Sequence, residues 1–303
     1  MNFRWSFTLF IVALLAASST WASPRAKRIQ RAVFSARAEL KRFHVVLDPG
    51  HGGADFGASF RVGGRNLHEK DLTLMLAMEA ARQLRTRGIE VTLTRGQDLE
   101  VPLAVRTQFA NRLSADAFIS IHMNSTHSGL GTQAEGVETY ILNNTTEGSS
   151  RRIAQLENSV LGAQLEAVES DQTDVALILK DLQLDGNLAE SKRLACLLQS
   201  ELVSDTARLF PRLAQRAPQE RNRGVKQALF HVLLGADMPS ALIEAGFLTN
   251  ARDRALVSTP EGRHALGRAI ADAVDGYRRA RGQPLAHTLP ASAAGARIAR
   301  LCR

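Results

Sequence analysis

The chain has 303 residues, 45% hydrophobic and only 5% aromatic, with a formal charge of +8. This is enough apolar material for one large domain or two smaller ones, with Leu, Ile, Val and Ala filling the core. The basic balance favours anionic partners, yet no RNP motif, helix-turn-helix spacing or Cys/His finger is present, which ranks nucleic acid below acidic lipid or an anionic wall polymer.

At the N-terminus, Arg4 precedes the apolar run Phe7–Ala17, and Thr20-Trp21-Ala22-Ser23 offers a small-residue cleavage site. The layout reads as a secretory signal peptide over residues 1–22. A membrane anchor is the alternative, but the run is shorter than the roughly 20 apolar residues a spanning helix needs. With no twin arginine and no cysteine at the junction, the general export route is expected, and no stable span after cleavage. Residues 23–42 are short and basic (Arg25, Lys27, Arg28, Arg31, Arg37, Lys41, Arg42) and read as a solvated linker, with contact to an anionic surface as the sharper reading.

From Phe43 the pattern alternates between strand and helix. Val45–Leu47 is a β-rich run stopped by the turn signal Asp48-Pro49-Gly50. Leu72, Leu76, Ala80 and Leu84 recur at helical spacing over 69–87. Strands follow over 89–94, 117–121 and 136–142, with a helix over 101–113 between the first two. Between Asn143 and Arg223 the rhythm changes to three helices, over 151–169, 174–184 and 187–210. The α/β pattern resumes with an apolar run over 226–234, a strand over 240–243 ending at Glu244, and a closing helix over 261–281. Residues 282–303, rich in Ala, Arg and Pro, read as a flexible tail. The expected fold is α/β: a single domain over 43–281, with a mostly parallel twisted sheet flanked by helices and a helical insertion over 149–186. Cys196 sits in an apolar helical pattern and reads as a buried small hydrophobe. Whether it pairs with Cys302, the only other cysteine, is open in the sequence.

Four residues stand at expected strand rims: His51 in VVLDPGHGG, Glu69 in LHEKD, His122 in FISIHMNS and Glu244 in SALIEAGF. Open α/β sheets bind ligands beyond the carboxyl ends of their strands. Two imidazoles and one carboxylate make a catalytic zinc set with a fourth position open for water, and the remaining acid can handle protons. Gly50, Gly52 and Gly53 let the backbone turn beside a bulky ion, and Asp48 or a backbone carbonyl is expected to fix the His51 tautomer. Taken singly, each residue has a plainer reading as a satisfied histidine, a helix-dipole acid or a solvated loop acid.

DPGHGG, HEKDL, ISIHMN and IEAGFLTN in this order, with LTRGQDLEVPLAVRTQFANRLSADAFISIHMN and GVKQALFHVLLGADMPSALIEAGFLTN, resemble the zinc-dependent N-acetylmuramoyl-L-alanine amidases of the type-3 family over about 43–281. The first of these longer segments places Arg95, Asp98, Leu103, Arg106 and Asn111 as the family has them. The resemblance implies His51, Glu69 and His122 as ligands of one zinc ion, and Glu244 as the catalytic acid/base. It implies peptidoglycan as substrate, cut between the lactoyl group of N-acetylmuramic acid and L-alanine in wall remodelling and daughter-cell separation. It further implies a periplasmic enzyme and an insertion that blocks the site, with Glu157 in LENSVLGA as the blocking zinc ligand and Glu166 and Glu169 as rivals, and nothing in the sequence demands more than a monomer. A LytM-type activator would then act on the apolar stretch over 175–184. A decorative surface helix, a zinc peptidase cutting within the stem peptide, and a degenerate wall-binding regulator are the competing readings.

Overall fold

The computed structural model describes residues 42–126, 134–159, 173–209 (side chains from 187) and 221–281. The expected leader, most of the basic linker, the C-terminal tail, Glu166, Glu169 and Cys302 lie outside the described residues. The chain divides into two units at Arg42/Phe43, and the second contains everything below.

In chain order the elements are β1 His44–Pro49, β2 Ser59–Val62, β3 Arg65–His68, α1 Glu69–Thr86, β4 Glu90–Leu93, α2 Leu103–Arg112, β5 Ala117–Asn124, β6 Val137–Leu142, α3 Gly148–Asn158, α4 Thr173–Leu209, β7 Asn222–Ala228, β8 Ser240–Phe247, α5 Ala251–Ser258 and α6 Pro260–Ala280. Six strands form one sheet in the order β4-β1-β5-β8-β6-β7, and β2 and β3 form a separate hairpin. All pairings in the sheet are parallel except β6 with β8. The α/β class read from the sequence is the fold observed.

The central strands are buried on both faces, so they read as continuous apolar runs. One face carries Val45, Leu47, Ile119, Ile121, Met123 and Ile243, and packs with Leu76, Leu84, Leu198, Leu266 and Ile270 of α1, α4 and α6. The other carries Val46, Phe118, Tyr140 and Leu242, and packs with Ala110 of α2 and Ala154 of α3. A fully buried Leu or Ile contributes about 1.5–3 kcal/mol, so this double layer can hold strained loops at its rim. Cys196 is buried in α4, as its pattern requires, and is disulfide-bonded.

Several elements differ from the expectation. The strands carrying His122 and Glu244 continue past them, to Asn124 and Phe247, so both residues lie inside β-structure. Their backbones pair across the sheet, which polar side chains do not prevent. The two expected helices over 174–184 and 187–210 are one, α4, which runs unbroken through Gly186: tertiary packing of its second half outweighs the roughly 1 kcal/mol a helical glycine costs. Of the helix expected over 151–169, the described part is α3, which runs to Asn158, and residues 160–169 lie outside the described residues. The β2–β3 hairpin, turning on Gly63 and Gly64 at positive φ, and the short helix α5 are further elements.

Candidate metal centre

The loop after β1 is built to place one imidazole. His51 adopts φ +61°, rare for a residue with a side chain, and is followed by Gly52 and Gly53 at φ +133° and +61°. Two arginines compensate the strain by tying down the loop carbonyls. Arg106 donates from Nη1 to Pro49 O (2.9 Å) and from Nη2 to His51 O (3.1 Å). Arg95 donates from Nε to Pro49 O (3.0 Å) and from Nη2 to Gly50 O (2.8 Å). Asp98 accepts from Gly53 N and from Lys70 Nζ, both at 2.8 Å. Three polar residues of the LTRGQDLEVPLAVR segment thus scaffold this loop.

The His51 tautomer is fixed by Asp55, where Asp48 or a backbone carbonyl was expected. Asp55 Oδ2 lies 2.8 Å from His51 Nδ1, leaving Nε2 to face the site. Asp48 points elsewhere because Arg106, Thr94 and Ser120 engage its carboxylate at 2.8, 2.6 and 2.7 Å.

Glu69 opens α1, at the helix end that favours negative charge. Backbone donors aim its carboxylate: Ala58 N reaches Oε2 and Met123 N reaches Oε1, each at 2.8 Å. Oε1 also lies 3.2 Å from both His51 Nε2 and His122 Nδ1. Glu157, from the last turn of α3, brings Oε2 to 3.2 Å from His51 Nε2 and 2.9 Å from His122 Nδ1.

His51, Glu69, His122 and Glu157 therefore each point one donor atom at a common spot, all within 4.8 Å of one another. Among the described residues, His51 Nε2, His122 Nδ1 and Glu157 Oε2 meet no hydrogen-bond geometry despite these short separations. Converging donor atoms that approach without pairing fit a shared cation. Burial alone would lower both imidazole pKa values. The Glu69 and Glu157 carboxylates outweigh it, holding His51 well above its ordinary value and raising His122 to about 9. The same carboxylates that favour a proton on these imidazoles would favour a cation between them.

Glu244 stands beside this cluster, register-paired with His122 across β5–β8 and with Glu138 across β8–β6. It is 0% exposed, and neither carboxylate oxygen has a hydrogen-bond partner among the described residues. Burial, and then the charges of Glu157, Glu69 and Glu138, push its pKa well above the usual carboxylate range. Glu138 is itself tied up by Tyr140 Oη and Arg223 Nε, with Lys226 Nζ 3.5 Å away. Among the site's surroundings, sequence reasoning passed over Asp55, Glu138 and Asn124. For Glu138 the only signal was an acid in an otherwise apolar strand.

Two glycines make the cluster possible. A Cβ on Gly50 would come within 2.4–2.8 Å of the His122 ring, and one on Gly57 within 2.5 Å of His51 Cδ2 and 2.7 Å of Glu69 Oε2. Gly57→Ala is therefore expected to abolish metal uptake measured by titration calorimetry. Gly63→Ala, at a similar positive φ but with nothing within 4 Å, is the control: it costs about 1–2 kcal/mol of backbone strain and leaves uptake intact.

Helix α3 is held over the site at both ends. Glu147, its N-cap, lies 3.4 Å from Lys226 Nζ. At the other end Asn158 brackets the loop after β7, donating to Leu229 O (2.8 Å) and accepting from His231 N (2.9 Å).

Fold and cluster define a class: a mostly parallel α/β domain whose strand ends gather imidazoles and carboxylates able to hold a metal ion. The model of the Amidase_3 family, described as N-acetylmuramoyl-L-alanine amidase, matches residues 45–276, and the chain belongs to that family. The N-acetylmuramoyl-L-alanine amidase AmiA of Escherichia coli (strain K12) is 30% identical over 236 residues, 77% of this chain and 75% of its own length. AmiC of Neisseria meningitidis serogroup B is 32% identical over 235 residues, 77% of this chain but 52% of its own length, so the chain spans about half of that relative. The crystal structure of N-acetylmuramoyl-L-alanine amidase from Clostridium difficile 630 superposes with a TM-score of 0.57 at 28% identity, covering 80% of this chain and 99% of that one.

Proposed function

We propose that the chain is an exported zinc amidase acting in cell-wall remodelling and daughter-cell separation. It hydrolyses the amide between the lactoyl group of N-acetylmuramic acid and L-alanine of peptidoglycan stem peptides. The observation that carries this reading is the convergence of His51 Nε2, His122 Nδ1 and Glu69 Oε1 on one spot beside a buried, unpartnered Glu244. Two imidazoles and a carboxylate suit zinc and leave a position for substrate or water. Lewis acidity is what the ion supplies when bound: a water pKa near about 7 instead of about 15.7, and a polarised scissile carbonyl.

Glu244 performs the proton transfers. Its oxygens are unengaged, so it accepts the proton of the attacking water and returns it to the departing amine of L-alanine. Burial, and then the neighbouring carboxylates, raise its pKa above the usual carboxylate range, a perturbation typical of groups that handle protons in a site. Asp55 and the backbone donors to Glu69 keep the ligand atoms facing inward.

Glu157 is the brake. Its carboxylate reaches both imidazoles from α3, so with zinc bound it would serve as a fourth ligand in place of water. The insertion over 149–186 is the segment a LytM-type activator protein would pull away, releasing the Asn158 bracket and the Lys226–Glu147 pair. The catalytic domain is assigned to 43–281, after a leader over 1–22 and a basic linker over 23–42 and before a tail over 282–303. Among the described residues no helix is long and apolar enough to cross a membrane. The proposed leader supports export of the working enzyme to the periplasm, where it would act as a monomer.

Release of labelled fragments from purified peptidoglycan tests this reading. A chelator should abolish release and added zinc restore it. Glu157→Ala should raise the basal rate about tenfold or more, because the competent state no longer competes with the plugged one. Release that ignores the chelator, or an unchanged rate in a folded, zinc-loaded Glu157→Ala protein, contradicts it.

A further inference from the structure

Strand β5 carries one polar side chain beyond His122 that the reaction has not used. Its even-numbered residues share a face: Phe118 packs with Val46, Tyr140 and Leu242, and Ser120 hydrogen-bonds Asp48, while Ile119, Ile121 and Met123 lie in the opposite core. The register with β8 slips after His122, since His122 pairs with Glu244 but Asn124 with Phe247. Over this step β5 advances two residues and β8 three. The extra residue therefore belongs to β8, where Gly246 has φ +148°, and β5 keeps its alternation. Asn124 thus stands on the same face as His122, about 6.6 Å further toward the rim.

The Asn124 backbone is anchored, its carbonyl accepting from Leu248 N at 2.7 Å. The residue is 5% exposed, and Nδ2 has no hydrogen-bond partner among the described residues. Buried amide donors are nearly always paired, so an unpaired one asks for its missing acceptor. The other polar atoms without a partner around this face already have roles: His122 Nδ1 and Glu157 Oε2 point at the metal position, and Glu244 is assigned to proton transfer. Glu157 fills the metal-facing position and leaves the amide unmet.

We propose that Asn124 Nδ2 donates a hydrogen bond to a carbonyl oxygen of the bound substrate adjacent to the scissile amide, fixing the peptide's register over the site. A neutral amide donor suits a neutral carbonyl acceptor. Its place one strand period beyond His122 assigns it to a flanking carbonyl and leaves the scissile one to the metal position. This rests on the amidase reading.

The test uses the full mature chain, zinc-loaded and carrying Glu157→Ala, with a synthetic N-acetylmuramoyl peptide. Adding Asn124→Ala should raise KM about tenfold, the size of one hydrogen bond to a ligand, with kcat within about threefold because ground and transition states both hold the contact. In the Glu244→Gln background, calorimetry should show the same loss of affinity. Asn124→Asp, of equal size but without the donor, should lose at least as much. For Asn124→Ala the thermal midpoint and zinc content should stay at parent values, since no bond within the protein is broken. Parent-like KM and affinity overturn the inference, as does a loss of activity that tracks a falling midpoint or zinc content. A parent that cleaves beside an indistinguishable variant defeats this inference alone. A parent that neither cleaves nor binds defeats the amidase reading with it.

Discussion

Glu244→Gln lowers hydrolysis by about 10²–10⁴-fold, the range of a positioned acid–base group, while fold and zinc content stay intact. The side chain is fully buried at the meeting of β5, β8 and β6, and the amide is close to isosteric, so the surrounding layer has no reason to move. What is lost is the ability to hold a proton between water and leaving amine. A second readout has the opposite sign. In the metal-free chain burial and three neighbouring carboxylates raise the folded-state pKa of Glu244, so above the ordinary value the ionised acid opposes folding. Glutamine removes that penalty, and the thermal midpoint of the metal-free variant should equal or exceed the parent's. Lost activity together with lost stability would make Glu244 a structural residue, and a parent-like rate would remove it from the mechanism.

Arg106→Leu destabilises the chain by about 3–5 kcal/mol, because it leaves Asp48 as a buried charge without its cation. Both side chains are inaccessible, 2.8 Å apart, and the guanidinium also holds Pro49 O, His51 O and Val101 O. Burial would raise the Asp48 pKa, but Arg106 and the hydroxyls of Thr94 and Ser120 win and lower it. An acid whose folded pKa is depressed contributes stability above its unfolded value and loses it as pH falls through the folded one. The full penalty is therefore present at pH 7, and melting should shift by roughly 10 °C for a domain of this size. Pairing Arg106→Leu with Asp48→Asn should cost clearly less than the sum of the single changes, which a double-mutant cycle reads directly. Additive losses would mean that the loop contacts, and not the ion pair, carry the stability. Because the same arginine ties down His51, zinc affinity should fall in the single variant too.

The parts of the site legible in the sequence are those where chemistry coincides with strong local punctuation. His51 follows an apolar run and a Pro-Gly turn, Glu69 opens a clean 3.6-periodic helix, and His122 and Glu244 interrupt apolar strands. All four come together in the structure. What escaped depends on pairing between strands, which no local pattern records. Glu138 matters because the antiparallel β6 sets it opposite Glu244, and Asn124 because the register slip lies in β8 and leaves β5 regular. Asp55 was passed over in favour of Asp48 because proximity in sequence does not say that Asp48 faces Arg106. The insertion was harder still. Its apolar positions allow several helix boundaries, and only packing sets the end of α3 at Asn158, where the amide bracket fixes Glu157 over the cluster.

The central claim concerns one bond, and mass spectrometry of peptidoglycan digested by the zinc-loaded Glu157→Ala protein tests it most directly. Free stem peptides beginning with L-alanine, absent when Glu244→Gln is added, are the predicted result. Peptides beginning at any other residue, or muropeptides left whole by a folded and zinc-loaded enzyme, would contradict it.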